Sequence, residues 1–491
     1  MEILNMGKKR QMLWDDYILD TEKTTATHRI ANPQKREVII TLEQGRELDN
    51  ACYFCTLKDD VGYKMYYVVW NSTYDGTEAF LLESTDGLHW ERATVENPGY
   101  PELEGNAIVI PGLEDGFYVF YDTNPACPKE EKYKAVARAL GTYNGQERYR
   151  GLWSWVSADG HHFGNPRMIT DYGTFDSMNT VNFIDGRYVC YYRNQNGLGP
   201  NGEFVECENA NDIGGYCQRL AQNPRIAYRD VRVMYSDDFI HWSEPEMIRF
   251  DDDSIVDMYT NQITPCPGAP NVLVGFPTRY VSRYHWGANE EQMNSAAIKK
   301  NAIVHYQEER CGLATTDCLF MYSRDGKIWH KYDEAFMTAG YEGEHNWVYG
   351  DCYPAYGLVD VGGPMLYMYC TERYRSPGYP KPVVRYEIRK DGFGCIMAGG
   401  KECVAITKPL IFEGNDLHLN FESSAAGHIY VDVLDIDGNL LADKKSFEVY
   451  GNNIDRKVCF ADGTDFAEFA GKPVQLRFTM LEAKLYSMWF D

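Results

Sequence analysis

Five short segments place an acidic side chain just ahead of a strand-like run. They are Asp49-Asn50, Glu104-Gly105-Asn106, Asp176-Ser177-Met178-Asn179, Asp257-Met258-Tyr259-Thr260-Asn261 and Gly350-Asp351. One Asp or Asn at a strand start is ordinary turn chemistry. A carboxylate at five such starts means more if the strands converge on one channel. Anions crowded there repel, so at least one carboxyl keeps its proton near neutrality. A protonated carboxyl beside an ionised one is the pairing that general acid–base cleavage needs. The predicted second strands exit at Asp122, Arg193, Arg279 and Glu372-Arg373, groups suited to hydroxyls or an anion. Glu104, Asp122, Glu344 and Glu372 are rivals for the role of proton donor.

A recurring pattern indicates the elements that bring these segments together. S-T-D-G-L-H-W from Ser84 returns as S-A-D-G-H-H-F from Ser157, S-D-D-F-I-H-W from Ser236 and S-R-D-G-K-I-W from Ser323. A degenerate R-K-D-G-F-G-C follows from Arg389, and the spacings are 73, 79, 87 and 66 residues. Asp-Gly between aromatic, β-branched runs is a hairpin signature; the third copy has Asp-Phe and calls for a different turn. Repeats of this length with several short strands each predict propeller blades. The fold class is therefore all-β: a five-bladed propeller over residues 1–400, with 1–45 wrapping onto it and helping to close the ring. In the second blade the first two strands are expected at 107–110 and 117–121. Residues 401–491 lack the repeat, alternate in shorter strands and read as a small β-sandwich.

Composition supports this outline. The chain has 491 residues and a net charge of −24, which disfavours nucleic acid and an anionic membrane surface as partners. Its 37 Tyr, 22 Phe and 10 Trp lean towards strands and suit the apolar faces of sugars. Trp70, Trp347 and Tyr259 fall near channel-facing positions. No apolar run has the length of a secretory signal or a membrane span, so a cytoplasmic protein with reduced thiols is expected from its 14 scattered cysteines. The 11 histidines show no H-x-x-x-H spacing, so metal-independent chemistry with no cofactor is expected. Two long insertions, 194–225 and 282–315, follow second strands and should overhang the channel. A homo-oligomer is left open.

The whole chain resembles the five-bladed-propeller glycoside hydrolases. A propeller followed by a sandwich is similar to glycoside hydrolase family 32, and more so to uncharacterised family-32-like bacterial proteins. The segments that carry the likeness are L-W-D-D-Y-I-L-D from Leu13, F-D-S-M-N from Phe175, Y-T-N-Q from Tyr259 and G-F-P-T-R-Y from Gly275. Transferred by blade position, the resemblance implies Asp49 as nucleophile, Asp176 as transition-state stabiliser and Asp257 as the acid. Sugar contacts would come from Asn50, Glu104, Asn106, Asp122, Asn179, Arg193, Tyr259, Asn261, Arg279, Asp351 and Glu372. The family's W-M-N-D-P-N-G and Arg-Asp-Pro motifs are absent, and Glu206-Cys207 falls inside an insertion. The implied activity is hydrolysis of a short oligosaccharide or furanoside. A glycoside phosphorylase, with Arg193, Arg279 and Arg373 on phosphate, and a non-catalytic carbohydrate-binding propeller are the alternatives.

Overall fold

A computed structural model describes residues 3–44, 47–71, 76–97, 105–220, 227–460 and 466–491. Five antiparallel sheets follow one another along the chain, each centred on a four-strand meander. Blade 1 comprises Ala51–Lys58, Tyr63–Asn71, Gly76–Ser84 and Glu91–Arg92, and blade 2 comprises Leu113–Tyr121, Tyr133–Tyr143, Gln146–Ser157 and Gly164–Thr170. Blade 3 is Thr180–Ile184, Arg187–Leu198, Tyr228–Ser236 and Glu246–Met247. Blade 4 runs through Thr264–Cys266, Ala269–Gly275, Met321–Ser323 and Ile328–Lys331; a second ribbon, Thr278–Val281 with Thr315–Cys318, continues its middle strands. Blade 5 takes Tyr353–Pro354, Met365–Thr371 and Lys381–Arg389 from its own stretch of chain and its outer strand, Gln34–Leu42, from the N-terminal region. That borrowed strand supplies the fourth strand of blade 5 and closes the ring.

Blade 2 departs from the expected strand order. Ala107–Ile108 pairs with Gly76–Ser84 at the rim of blade 1, so the innermost strand of blade 2 is Leu113–Tyr121. The sequence reading also passes over Tyr133–Tyr143, whose Lys134 and Arg138 interrupt its apolar run.

Four of the repeated turns share one geometry. In the first, Asp86 Oδ1 accepts from the backbone N–H of Leu88 and His89, both at 2.8 Å, and Ser84 Oγ accepts from Gly87 at 2.9 Å. Asp159, Asp238 and Asp325 repeat the two backbone bonds. The third copy makes the same turn after all. Phe239 takes the left-handed position at φ 64°, beside 73°, 75° and 77° for Gly87, Gly160 and Gly326. Packing of its buried ring on Tyr188 and Trp242 offsets that strain. The fifth copy is different: Asp391 Oδ2 accepts from Arg10 and Ser487, both at 2.7 Å, and ties the propeller to the strands that follow.

The hairpin bonds hold the Asp86 carboxyl well below the usual carboxylate range, the backbone N–H of His89 first and its ring second. Asp86→Ala is expected to cost about 1 kcal/mol at pH 7, modest because the carboxylate is half-exposed. Because the folded pKa is depressed, this contribution is present above the unfolded value near 3.9 and fades as pH falls below it. Denaturant midpoints at pH 7 and at pH 3 should therefore differ between variant and parent by less at the lower pH.

Beyond Arg389 two long strands, Leu417–Leu434 and Gln475–Phe490, pair along their length and shift register between Ser423 and His428. Leu419 and Phe421 before that shift, and Ile429, Val431 and Val433 after it, enter the same buried core. Both halves of the pair thus bury apolar side chains in one layer, which fits a β-sandwich. Gly394–Ala398 already belongs to this unit. The N-terminal segment is shared between the two units. Leu4–Gly7, Gln11–Met12 and Thr27–Ile30 pair with C-terminal strands, whereas Gln34–Leu42 joins blade 5. All 14 cysteines are unpaired. Among the described residues no helix is long and apolar enough to cross a membrane.

Candidate active site

All five blades contribute to one cavity of about 870 Å³, within the usual range for small-molecule sites of about 300–1,000 Å³. Inner-strand entrances supply Tyr53, Asp115, Asp176, Asp257 and Tyr259. Second strands and their exits supply Trp70, Arg138, Arg193, Tyr280 and Arg375. The 282–315 insertion folds into the helices Ala288–Gln292, Ala296–Tyr306 and Arg310–Leu313 and adds Arg283, Tyr284 and Arg310 to the wall. From the other insertion Gln195 reaches the cavity.

Local backbone strain aims several of these groups. Tyr53, Gly116, Gln262 and Cys352 adopt left-handed φ values of 45–55° at the starts of inner strands in blades 1, 2, 4 and 5. At Tyr53 the register of the strand slips between Cys52 and Cys55, a bulge that turns the ring towards the cavity. At Gly116 a Cβ would stand 2.2 Å from the carbonyl oxygen of Ser177. The segments bearing Asp115 and Asp176 therefore meet backbone to backbone. Gly116→Ala is expected to cost about 1–3 kcal/mol, read as a lowered denaturation midpoint, and to depress any activity that needs the two carboxyls in register.

The two carboxyls sit in opposite electrostatic surroundings. Burial pushes Asp115 up to about 6; Arg138 opposes the rise and the charge of Asp176 adds to it. Burial also acts to raise Asp176, but Arg193 above all, then Arg138, brings it down to about 2. Arg193 lies 3.3 Å from Asp176 Oδ2, and Gln195 donates to the same oxygen at 3.2 Å. One carboxyl thus holds its proton up to mildly acidic pH while its neighbour is an anion throughout.

Tyr259 forms the floor. Arg193 donates to its carbonyl at 2.8 Å, and Arg375 Nη2 lies 3.4 Å from its hydroxyl. Burial opposes ionisation of the phenol, but Arg375, Arg229 and Arg193 outweigh it and bring the hydroxyl down to about 8.

Trp70, Asp176, Arg193, Asp257 and Tyr259 are the predicted residues that the fold brings to this cavity. Asp257 receives the backbone N–H of Arg229 at 3.0 Å and its guanidinium at 3.0 and 3.1 Å, so both carboxylate oxygens are engaged in holding Arg229. The other predicted residues that are described lie outside its lining. Asn106 donates to the Tyr67 hydroxyl and the Leu81 carbonyl, Asn179 braces the Asp176 loop, and Asn261 joins Thr180 to the carbonyls of Met178 and Tyr191. Asp122 is fully buried with Lys134 and Tyr188, at the far end of a strand that proves to be the first of its blade. Arg279 pairs with Asp317. Asp351, which burial pushes up to about 7, and Glu372, paired with Lys35, line a separate cavity of about 470 Å³. Glu344 is exposed, and Trp347 donates to the Gly340 carbonyl at 2.9 Å. Asn50 accepts from the Tyr306 hydroxyl at 2.7 Å. Asp49 lies in the helical turn Glu47–Asn50, but its side chain and all of Glu104 fall outside the described residues.

Asp115, Arg138, Arg229 and Arg375 are site residues that the sequence reading missed. The first had a signal, since Glu114-Asp115-Gly116 precedes an aromatic run in the manner of the other entrances.

No protein-family model matches the chain, and no curated protein matches it. Among solved structures it is similar to an N-acetylgalactosamine deacetylase from F. plautii in complex with blood group B trisaccharide. The identity is 11% and the TM-score 0.45, over 74% of this chain and 96% of that one. A protein described with the GH130 family of mannoside phosphorylases and glycoside hydrolases matches at 10% identity and TM-score 0.39, over 74% of this chain and 94% of the other. The Bombyx mori GH32 β-fructofuranosidase matches at 9% identity and TM-score 0.37, over 94% and 93%. At such values none of them transfers a substrate or a reaction to this chain.

Proposed function

We propose that this protein cleaves a glycosidic bond in a short carbohydrate, with Asp115 as general acid and Asp176 as the ionised carboxylate of the pair. The observation that supports this most is the contrast between the two, on adjoining strand entrances of a single cavity: burial raises one carboxyl, and the Arg193 guanidinium lowers the other. Their environments divide proton donation and charge stabilisation between them. Asp115 replaces Asp257 as the proton donor because Asp257 is committed to Arg229. Aromatic walls at Tyr53, Trp70, Tyr228 and Tyr280 suit the C–H faces of sugar rings. Asp115 hands its proton to the leaving oxygen, and Asp176 offsets the positive charge that develops at the anomeric carbon. The nucleophile role that the resemblance implies for Asp49 stays part of the proposal.

A screen of aryl glycosides and short oligosaccharides, with and without inorganic phosphate, tests this reading. Sugar release that needs no phosphate is expected. Strict phosphate dependence would favour a phosphorylase, and tight binding with no release from any substrate would favour a carbohydrate-binding module.

A further inference from the structure

Arginines outnumber carboxyls in the cavity lining although the chain is strongly acidic. Arg138, Arg193, Arg229, Arg283, Arg310 and Arg375 line it against Asp115, Asp176, Asp257 and Glu309, and Asp115 carries a proton up to mildly acidic pH. Several of these arginines have carboxylate partners. Arg193 lies 3.3 Å from Asp176, Arg229 lies 3.0 Å from Asp257, Arg138 lies 3.2 Å from Glu114, and Arg310 lies 2.5 Å from Glu308.

Among the described residues Arg283 has none, but it is exposed and donates to Thr315, so the exception that matters is Arg375. Among the described residues it has no carboxylate partner, and its guanidinium instead faces the rings of Tyr374, Tyr349, Tyr306 and Trp70 at 4.8–5.5 Å. Its Nη2 reaches the Tyr259 hydroxyl at 3.4 Å, and its buried Nε has no acceptor. The buried Nε atoms of Arg193 and Arg229, whose guanidinium groups lie 5.1 and 5.0 Å from the Tyr259 ring centroid, also lack acceptors. Ring faces attract a cation, but they do not replace the counter-ion that a desolvated guanidinium requires.

We infer that the sugar bound here is acidic and that its carboxylate pairs with Arg375 at the cavity floor. One guanidinium enclosed by rings without a carboxylate partner matches one singly charged, planar, two-oxygen group. A phosphate dianion fits less well, because Asp176 and Asp257 line the same cavity and repel a second negative charge. The inference rests on the reading of the cavity as a carbohydrate site, but it concerns binding and not cleavage.

Calorimetric titration of the full-length protein with methyl glucuronoside and methyl galacturonoside, with the matching neutral glucoside and galactoside, and with inorganic phosphate tests it. At least one uronoside should bind about tenfold or more tighter than its neutral counterpart. That advantage should shrink with added salt and disappear in Arg375→Met. Because removing an unpaired buried cation relieves a desolvation cost, Arg375→Met should melt no lower than the parent. Arg375→Lys should keep part of the advantage, and serves as the variant to compare if the methionine protein is unstable. Equal affinity for charged and neutral sugars, a uronoside preference that survives in both Arg375 variants, or Arg375-dependent binding of phosphate with none of the uronosides would overturn it. Uronoside binding without cleavage of any uronoside-containing oligosaccharide would leave this inference intact and refute the proposed function.

Discussion

Replacing Asp115 by asparagine should slow cleavage of glycosides with poor leaving groups by about 10²–10⁴-fold while sparing activated aryl glycosides. Asparagine keeps the size of the side chain but cannot donate an acidic proton, so only departures that need protonation suffer. In the parent, kcat/KM should fall as pH rises through about 6, where Asp115 loses its proton. In the variant that limb should be gone. Stability adds an independent readout. A carboxyl whose folded pKa is raised destabilises the fold above that pKa, where it must ionise in a buried site, and ceases to do so as pH falls below the unfolded value. Asp115→Asn should therefore melt higher than the parent at pH 7.5, with the gain vanishing near pH 4. A uniform loss on all substrates with an unchanged pH profile would remove Asp115 from the acid role.

Asp176→Asn should lose about 10³–10⁴-fold on every substrate, whatever its leaving group. The ionised carboxylate acts on the sugar and not on the departing oxygen, so a better leaving group does not compensate for its absence. The substitution has a second consequence. Asp176 helps to raise Asp115, so in the variant the residual activity should begin to fall at a lower pH than in the parent. Arg193 is buried and loses its ion-pair partner, which makes some destabilisation part of the expectation; circular dichroism and a melting curve must show the variant folded before rates are compared.

Much of the architecture was legible because its signals are local. Ser, Asp and Gly at fixed offsets make a turn by backbone hydrogen bonding, and four of five copies do so in the same way. Phe239 shows the limit of that reading: Asp238 and the packing of the ring force a phenylalanine into a position that sequence rules reserve for glycine. Asp391 shows another, since its partners Arg10 and Ser487 are distant in the chain. In the site, Asp176, Asp257 and Tyr259 were reachable through the strand-entrance rule, which depends only on counting blades. Asp115 was lost to a misplaced strand. Arg375 was lost because nothing local marks it; its importance lies in which groups surround it and in the missing carboxylate, and both are properties of packing.

The central claim is that Asp115 and Asp176 divide proton donation and charge stabilisation within one cavity. Its most direct test is to measure kcat/KM for Asp49→Asn, Asp115→Asn, Asp176→Asn and Asp257→Asn side by side, on a cleaved oligosaccharide and on its activated aryl analogue. The account predicts that Asp115→Asn alone discriminates between the two substrates and that Asp176→Asn fails on both. Selective loss in Asp257→Asn or Asp49→Asn, with Asp115→Asn behaving like the parent, would contradict it.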